Sequence, residues 1–414
     1  MHTSPCSNST AFADVSYRYA YFQTIEAAGT DWDLAAPAND IFLQRRYLGL
    51  LENYPPLGMR FGYLVFYAGQ APVGVALCQI KYFKADENIN TAEHQTKDPC
   101  FFTGLAKWLK RRVAGKMAAD ILICGSMLLT GEHGHWFDYT RISWEKAAVL
   151  LEEALDTVVR QAEQAGERMP VILLKDLSPE QRRQSRYFIQ NGFVEFEIQP
   201  NMILPLPFRD FEEYLAAMTT KYRTRVKRAF KKAEGIQKKA LTLAEIHQEL
   251  PRIYALYKDI ANNAGFNMVD LNEHYLPALK RDMPDVFQLF AYYLDGQLVA
   301  FYSTIRNNNE LEAHFLGYDK QHNHDLQLYL NILLDIVRIG IASGCSRIIF
   351  ARTALEIKSS VGAVPENLYC YLRHQNPLVN KFTGTLLDYL KPVEEWLPRH
   401  PFKSQVELEE EQVV

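Results

Sequence analysis

The stretch Phe61-Gly-Tyr-Leu-Val-Phe-Tyr-Ala-Gly-Gln-Ala-Pro-Val-Gly-Val-Ala-Leu-Cys78 reads as strand, turn at Gly69-Gln70, strand. The order returns at Phe287-Gln-Leu-Phe-Ala-Tyr-Tyr-Leu-Asp-Gly-Gln-Leu-Val-Ala-Phe-Tyr-Ser303, with Asp295-Gly296-Gln297 as the turn, so each stretch is a β-hairpin signal. A further strand follows in each half, Asp120 to Leu129 and Leu311 to Tyr318, and each runs into a His-bearing loop, Gly131 to His135 and Gln321 to His324. Helical periodicity comes next. Trp144, Ala147, Ala148, Leu151, Leu155, Val158, Val159 and Ala162 recur behind Ser143 as N-cap, and Leu326, Tyr329, Leu330, Leu333, Val337 and Ile341 recur behind Asp325. Short apolar strands at Pro170 to Leu174 and Arg347 to Phe350 close each unit, and Gly192-Phe193 and Gly362-Ala363 precede a last apolar run. The pattern is an internal repeat, hairpin, strand, helix, strand, turn, strand, which predicts an α/β fold with mixed sheets in two tandem copies.

The copies are joined at Pro205-Leu-Pro207, after which Asp210 and Glu213 form a capping-box pattern opening a helix. The expected organisation is a loose tail over 1–15, a first unit over 16–205, a second over 206–400 and an acidic tail over 401–414. Residues 84–100 are polar enough to predict a long surface loop.

With 414 residues and 48% hydrophobic side chains, the chain has ample material for two cores, which excludes a disordered or fibrous protein. A net charge of -4 argues against a surface that binds polyanions everywhere, while leaving local patches open. Six cysteines without a C-x-x-C pair predict a reduced, cytoplasmic chain with neither zinc fingers nor a disulfide framework. No apolar stretch is long enough for a transmembrane segment. No P-loop, dinucleotide fingerprint or G-x-S-x-G elbow appears, which lowers kinase, dehydrogenase and serine-hydrolase readings.

This element order, together with Phe211 to Ala229 at the junction and Ala351-Arg-Thr-Ala-Leu-Glu-Ile-Lys-Ser-Ser-Val-Gly-Ala363, resembles the GNAT acyltransferase superfamily, and within it the tandem Fem-like branch. The resemblance covers about residues 60–390. It implies two GNAT-like domains in which the fourth strand splays from the fifth, so that the pantetheine arm of acyl-CoA lies in the gap as a partner strand would. It also implies that the pyrophosphate meets the amides opening the next helix. By resemblance those loops are Gly131, His133, Gly134 and His135 in the first half, and about Asp319 to Asp325, with Asn323 and His324, in the second. The usual Q/R-x-x-G-x-G/A run is absent from both, and the second has no glycine between Tyr318 and Asp325.

Many members place a tyrosine four residues before the Gly-Phe. Here that position holds Phe188 in the first half and Lys358 in the second, and Fem-like enzymes are similar in carrying a lysine near this place. The second half is therefore the expected chemical centre, with Lys358 stabilising an oxyanion. If residues 352–358 stay extended, Arg352, Glu356 and Lys358 share one face, giving Glu356 as base and Arg352 as an anion or carboxylate holder. His314 and Tyr318, at even spacing on a strand, are expected to face the same cleft. Ordinary ion pairing and a buried structural histidine explain the same residues equally simply.

Between Lys221 and Lys239 stand nine basic residues, including Arg223 and Arg225, against the single acid Glu234, while Tyr222, Val226, Ala229, Phe230 and Ala233 form an apolar stripe. The expectation is a packed helix with a cationic outer face for transfer RNA, a coenzyme A phosphate or an anionic head group. The pairs His133/His135 and His322/His324 lack a third ligand at diagnostic spacing, and no metal is expected. Three functions fit: an N-acyltransferase using acyl-CoA on an amine of a small or cell-envelope acceptor, a Fem-like aminoacyl transferase using charged transfer RNA, and a non-catalytic tandem scaffold.

Overall fold

A computed structural model describes residues 15–84, 118–262, 269–390 and 396–403. Residues 1–14, 404–414 and most of the polar stretch at 84–100 lie outside the described residues, while 401–403, expected in the acidic tail, pack on the second half, where Thr219 N donates to Pro401 O at 2.8 Å. The first half contributes β1 (Tyr17–Phe22), β2 (Met59–Ala68), β3 (Ala71–Lys84), β4 (Ala118–Cys124), β5 (His135–Phe137), β6 (Val171–Leu177), β7 (Val194–Glu197) and β8 (Asn201–Pro205). The second contributes β9 (Gln237–Ala240), β10 (Phe287–Leu294), β11 (Gln297–Asn307), β12 (Glu310–Tyr318), β13 (Arg347–Ile349), β14 (Val364–Glu366) and β15 (Tyr369–His374).

The hairpins that open each repeat form as expected. β2 pairs β3 antiparallel from Met59↔Lys81 to Ala68↔Ala71, and β10 pairs β11 from Phe287↔Ile305 to Leu294↔Gln297. The helix Trp144–Gln164 crosses between β5 and β6, capped by Ser143, whose hydroxyl accepts from the Lys146 amide at 3.2 Å. Its counterpart in the second half is interrupted. A short helix, Lys320–Leu326, ends at Gln327 in the left-handed region (φ 50°, ψ 46°), and Leu328–Ala342 follows, so the helix does not start behind Asp325.

The two sheets do not part at residue 205. One runs β1-β2-β3-β4-β6-β15-β7, with β5 beside β3, and the other runs β14-β8-β13-β12-β11-β10-β9. Strand β8, from the end of the first repeat, lies between β13 and β14, and β15, from the end of the second, lies between β6 and β7. The repeats thus exchange their last long strands, a long-range pairing that strand periodicity cannot show.

Three large apolar clusters follow. One joins the halves, packing Trp32, Phe42, Tyr47 and Leu51 with Leu256, Tyr275, Leu279 and Phe301. The other two lie under the helices of the separate sheets, around Leu334 and Val337, and around Leu151 and Leu155. The chain between β1 and β2, helices Ile25–Ala35 and Arg45–Asn53, therefore abuts the second sheet, and Ile41 donates its amide to Asn307 Oδ1 at 2.9 Å.

Candidate active site

In the second half the parallel pair β12–β13 holds for three residues only, Glu310↔Arg347, Leu311↔Ile348 and Glu312↔Ile349. Beyond it the strands diverge. The chain after β13 follows β8 instead, through Phe350 N to Met202 O (2.8 Å) and Met202 N to Ala351 O (3.2 Å). The run Ala313–Tyr318 pairs only with β11 among the described residues, leaving its other edge open. An open edge inside a sheet presents unpaired N–H and C=O groups that a bound extended molecule can complete.

Glu312 stands at the apex of this seam, only 3% exposed, and burial pushes its carboxyl up to about 8 while the nearby His133 imidazolium opposes that rise. Nothing in the spacing of the sequence singles Glu312 out. Its signal is an acid inside an otherwise apolar strand, Leu-Glu-Ala-His-Phe, which reads equally as a surface strand. His314 is on the same face, its Nε2 2.8 Å from the Tyr275 hydroxyl, which is 3.1 Å from that of Tyr47. Burial holds the His314 imidazole neutral, with its pKa pushed down to about 3.

Tyr318 does not share that face. Pairing jumps from Tyr302↔Leu316 to Thr304↔Ala313, so His314 and Phe315 together oppose Ser303 in a β-bulge. Ser303 Oγ holds the bulge, donating to Phe315 O at 3.0 Å and accepting from Phe315 N at 3.1 Å. The bulge reverses the alternation, sending Tyr318 to the other side, where its ring lies 5.7 Å from that of Tyr329.

The stretch 352–358 is not extended, so the expected shared face does not exist. Ala351, Thr353 and Ala354 have φ of 57°, 66° and 48°, and a short helix, Leu355–Ser359, follows. Non-glycine residues there cost about 1–2 kcal/mol each, so the turn needs anchoring. Lys358 supplies an anchor: its buried Nζ donates to Ala351 O at 3.2 Å and Arg352 O at 2.5 Å, and burial lowers its pKa to about 7. Its bonds go to the turn itself. Arg352 turns away to bind Asp176 of β6 in a fork, at 2.5 and 3.0 Å. Glu356 points outward to Arg399, with Arg399 Nε 3.0 Å from Oε1.

The first half has the same seam, filled by its own chain. β4 and β5 lie along one line beside β3, and Leu77 bonds both Gly125 N (3.2 Å) and Gly134 O (2.8 Å), so residues 126–133 are looped out of a strand. Gly134 permits this, because a Cβ there would meet Gly125 Cα at 2.8 Å. The loop is tied to the end of β6 by Lys175 Nζ to Leu129 O (2.9 Å), Gly131 N to Asp176 Oδ2 (3.2 Å) and Ser178 N to Glu132 Oε1 (3.0 Å). Gly131, His133, Gly134 and His135 therefore do not open the following helix, which starts after 138–143. His133 points to Asp40, at 2.9 Å from Nδ1. His135 is buried beside Phe137 with Nε2 unpartnered and its pKa pushed down by burial to about 4.

At the mouth of the second seam the expected phosphate loop is a helix. Asn323 Oδ1 accepts from Tyr329 N at 3.0 Å, filling a first-turn amide of Leu328–Ala342, while His324 is exposed beside Asp325. The basic helix Thr220–Lys232 packs there through Tyr222, Val226 and Ala229, and Asn331 Nδ2 donates to Ala229 O at 3.1 Å. Lys238 pairs with Asp335 and Lys239 with Glu245. Lys221, Arg223, Arg225, Lys227, Arg228, Lys231 and Lys232 have no carboxylate partner among the described residues. No helix among the described residues is long and apolar enough to cross a membrane.

Residues 220–359 match the family described as an acetyltransferase (GNAT) domain. No curated protein matches the chain. Among solved structures, FemX is 12% identical with a TM-score of 0.49, over 81% of this chain and 97% of that one. A tandem GNAT protein from the clavulanic acid biosynthesis pathway is 11% identical with a TM-score of 0.49, over 87% and 99% of the two chains. L-PGS from Bacillus licheniformis is 12% identical with a TM-score of 0.42, over 82% and 95%. The second half of this chain carries a domain of the GNAT acetyltransferase family, a family of acyltransferases.

Proposed function

We propose that the chain transfers an acyl group from an activated donor to an amine in the seam of its second half. The observation that carries this reading is the open edge Ala313–Tyr318, opposite which β13 has turned away. A slender amide-bearing limb, such as the pantetheine of acyl-CoA, completes that edge as a strand would, which makes acyl-CoA the first donor considered. The amine attacks the acyl carbon and Glu312, whose pKa of about 8 suits a proton acceptor near neutrality, takes its proton. Strand amides along the edge face the oxyanion, the bond from the acyl carbon to the donor breaks, and the donor leaves as a thiolate or as an alkoxide that takes the proton back from Glu312. Lys358 holds the turn 351–354 beside the seam rather than the reacting atoms.

An aminoacyl ester on transfer RNA is the second reading, and two observations favour it. Asn323 already fills an amide at the place expected for a pyrophosphate. The row from Lys221 to Lys232 spans about 16 Å, more than one diphosphate needs.

Purified protein is tested with millimolar acetyl-CoA and with charged transfer RNA at low and high salt. Stabilisation by either donor, kept in Glu312→Gln with transfer lost, supports the reading. RNA binding that weakens with salt and with neutralisation of Arg223, Arg225, Lys227 and Arg228 assigns the second donor class. Donor binding without turnover in the unsubstituted protein, against a broad panel of amines, points to a scaffold and overturns it.

A further inference from the structure

We infer that His133, from the looped-out segment of the first half, is a positioning residue for Glu312 of the second, its imidazolium fixed by Asp40 and acting on that carboxylate across the junction of the halves. This inference rests on the acyltransferase reading only for the use made of Glu312, and the placement of the groups stands without it.

The geometry is a chain of short, partly buried contacts across the junction of the halves. His133 Nδ1 is 2.9 Å from Asp40 Oδ2, and the ring packs edge-on to Phe42 with centroids 4.8 Å apart. Asp40 Oδ1 accepts from Asn307 Nδ2 at 3.1 Å, and Asn307 Oδ1 accepts from the Ile41 amide at 2.9 Å. Asn307 lies directly opposite Glu310, two residues from Glu312 on the same face of β12. The segment 126–133 is thus fastened at one end to the plugged first seam and at the other, through Asp40, to Asn307 at the end of β11, which pairs with the strand that borders the open one.

The charges follow from that placement. Burial alone would lower the imidazole pKa, but Asp40 and the more distant Glu312 and Glu310 raise it to about 9, so His133 is a cation at neutral pH. Its partner Asp40 is held below the ordinary carboxylate range, burial notwithstanding. The groups acting on Glu312 are His133 and Asp40 from the first half, Glu310 on its own strand and Arg347 on β13, with the neutral phenol of Tyr47 also close. Of these, His133 is the strongest influence favouring the ionised carboxylate. Without it, a carboxyl sealed in an apolar junction among other acids ionises only at still higher pH, so that a smaller share is ready to accept a proton near neutrality. The first half, with its own seam filled, so contributes a charge to the site of the second.

The test is spectroscopic and needs no substrate. Isotope-edited infrared difference spectra of the full chain against Glu312→Gln give the midpoint of Glu312 ionisation. In His133→Gln, which keeps a donor to Asp40, the midpoint is expected to rise by about one pH unit or more. Because coupling is reciprocal, Glu312→Gln is expected to lower the His133 midpoint, read by imidazole NMR. A Glu312 midpoint that stays or falls in a folded His133→Gln protein overturns the inference. If that variant does not fold, an unmoved His133 midpoint in Glu312→Gln overturns it in the same way. If both midpoints move as expected and no donor binds, the dyad stands and the acyltransferase reading fails.

Discussion

Glu312 sits where a charge is least welcome, which makes its protonation visible in stability. Its pKa is about 8 folded against 4.5 for the free side chain, so the native state holds a proton that the unfolded chain releases. Stability therefore falls as pH rises from about 5 to about 8, and Glu312→Gln, fixed neutral, escapes that share of the fall. Urea midpoints of the two proteins across this range are expected to diverge in favour of the variant, and parallel curves would contradict the assignment. Lys358 shows the limit of reading single residues from a sequence. A lysine near this place is legible as unusual, but its role depends on three left-handed residues, Ala351, Thr353 and Ala354, none of which is the glycine or asparagine that advertises such a turn. Arg352 and Glu356 were legible as charged groups of one segment, whereas their partners, Asp176 and Arg399, lie far away in the chain.

At the level of the element, the hairpins, the first crossover helix and the closing strands were readable, because period and turn residues are local signals, whereas the break at Gln327 moved the start of the second helix. Two further irregularities were not readable. The bulge opposite Ser303 adds one residue to β12, and this alone separates His314 from Tyr318. The loop 126–133 leaves and rejoins one strand line, so Gly131 and His133 looked like the start of a helix when they form the plug of a seam. Gly134→Ala tests that plug directly. The added methyl meets Gly125 Cα, a backbone atom, at 2.8 Å, so the strand must shift. A loss of about 1–3 kcal/mol by denaturant unfolding is expected, as for an overpacked core site. Unchanged stability would mean that the two ends of the loop are not in contact.

For the molecule as a whole, the tandem repeat was legible and the exchange of strands was not, since β8 and β15 look alike as apolar runs and pair with partners remote in sequence. The exchange makes the halves interdependent. A piece ending at 205 lacks β15 between β6 and β7, and a piece starting at 206 lacks β8 between β13 and β14. Each is expected to be unfolded alone and to regain structure when the two are produced together, as followed by circular dichroism. A cooperatively folded piece would contradict the exchange.

The central claim, that the donor enters the second seam and not the first, is tested most directly by amide hydrogen exchange with acetyl-CoA and with charged transfer RNA. The account predicts that whichever donor stabilises the protein slows exchange across Ala313–Tyr318 and leaves His135–Phe137 unchanged. Protection at His135–Phe137 instead, or stabilisation with no change at Ala313–Tyr318, would contradict it.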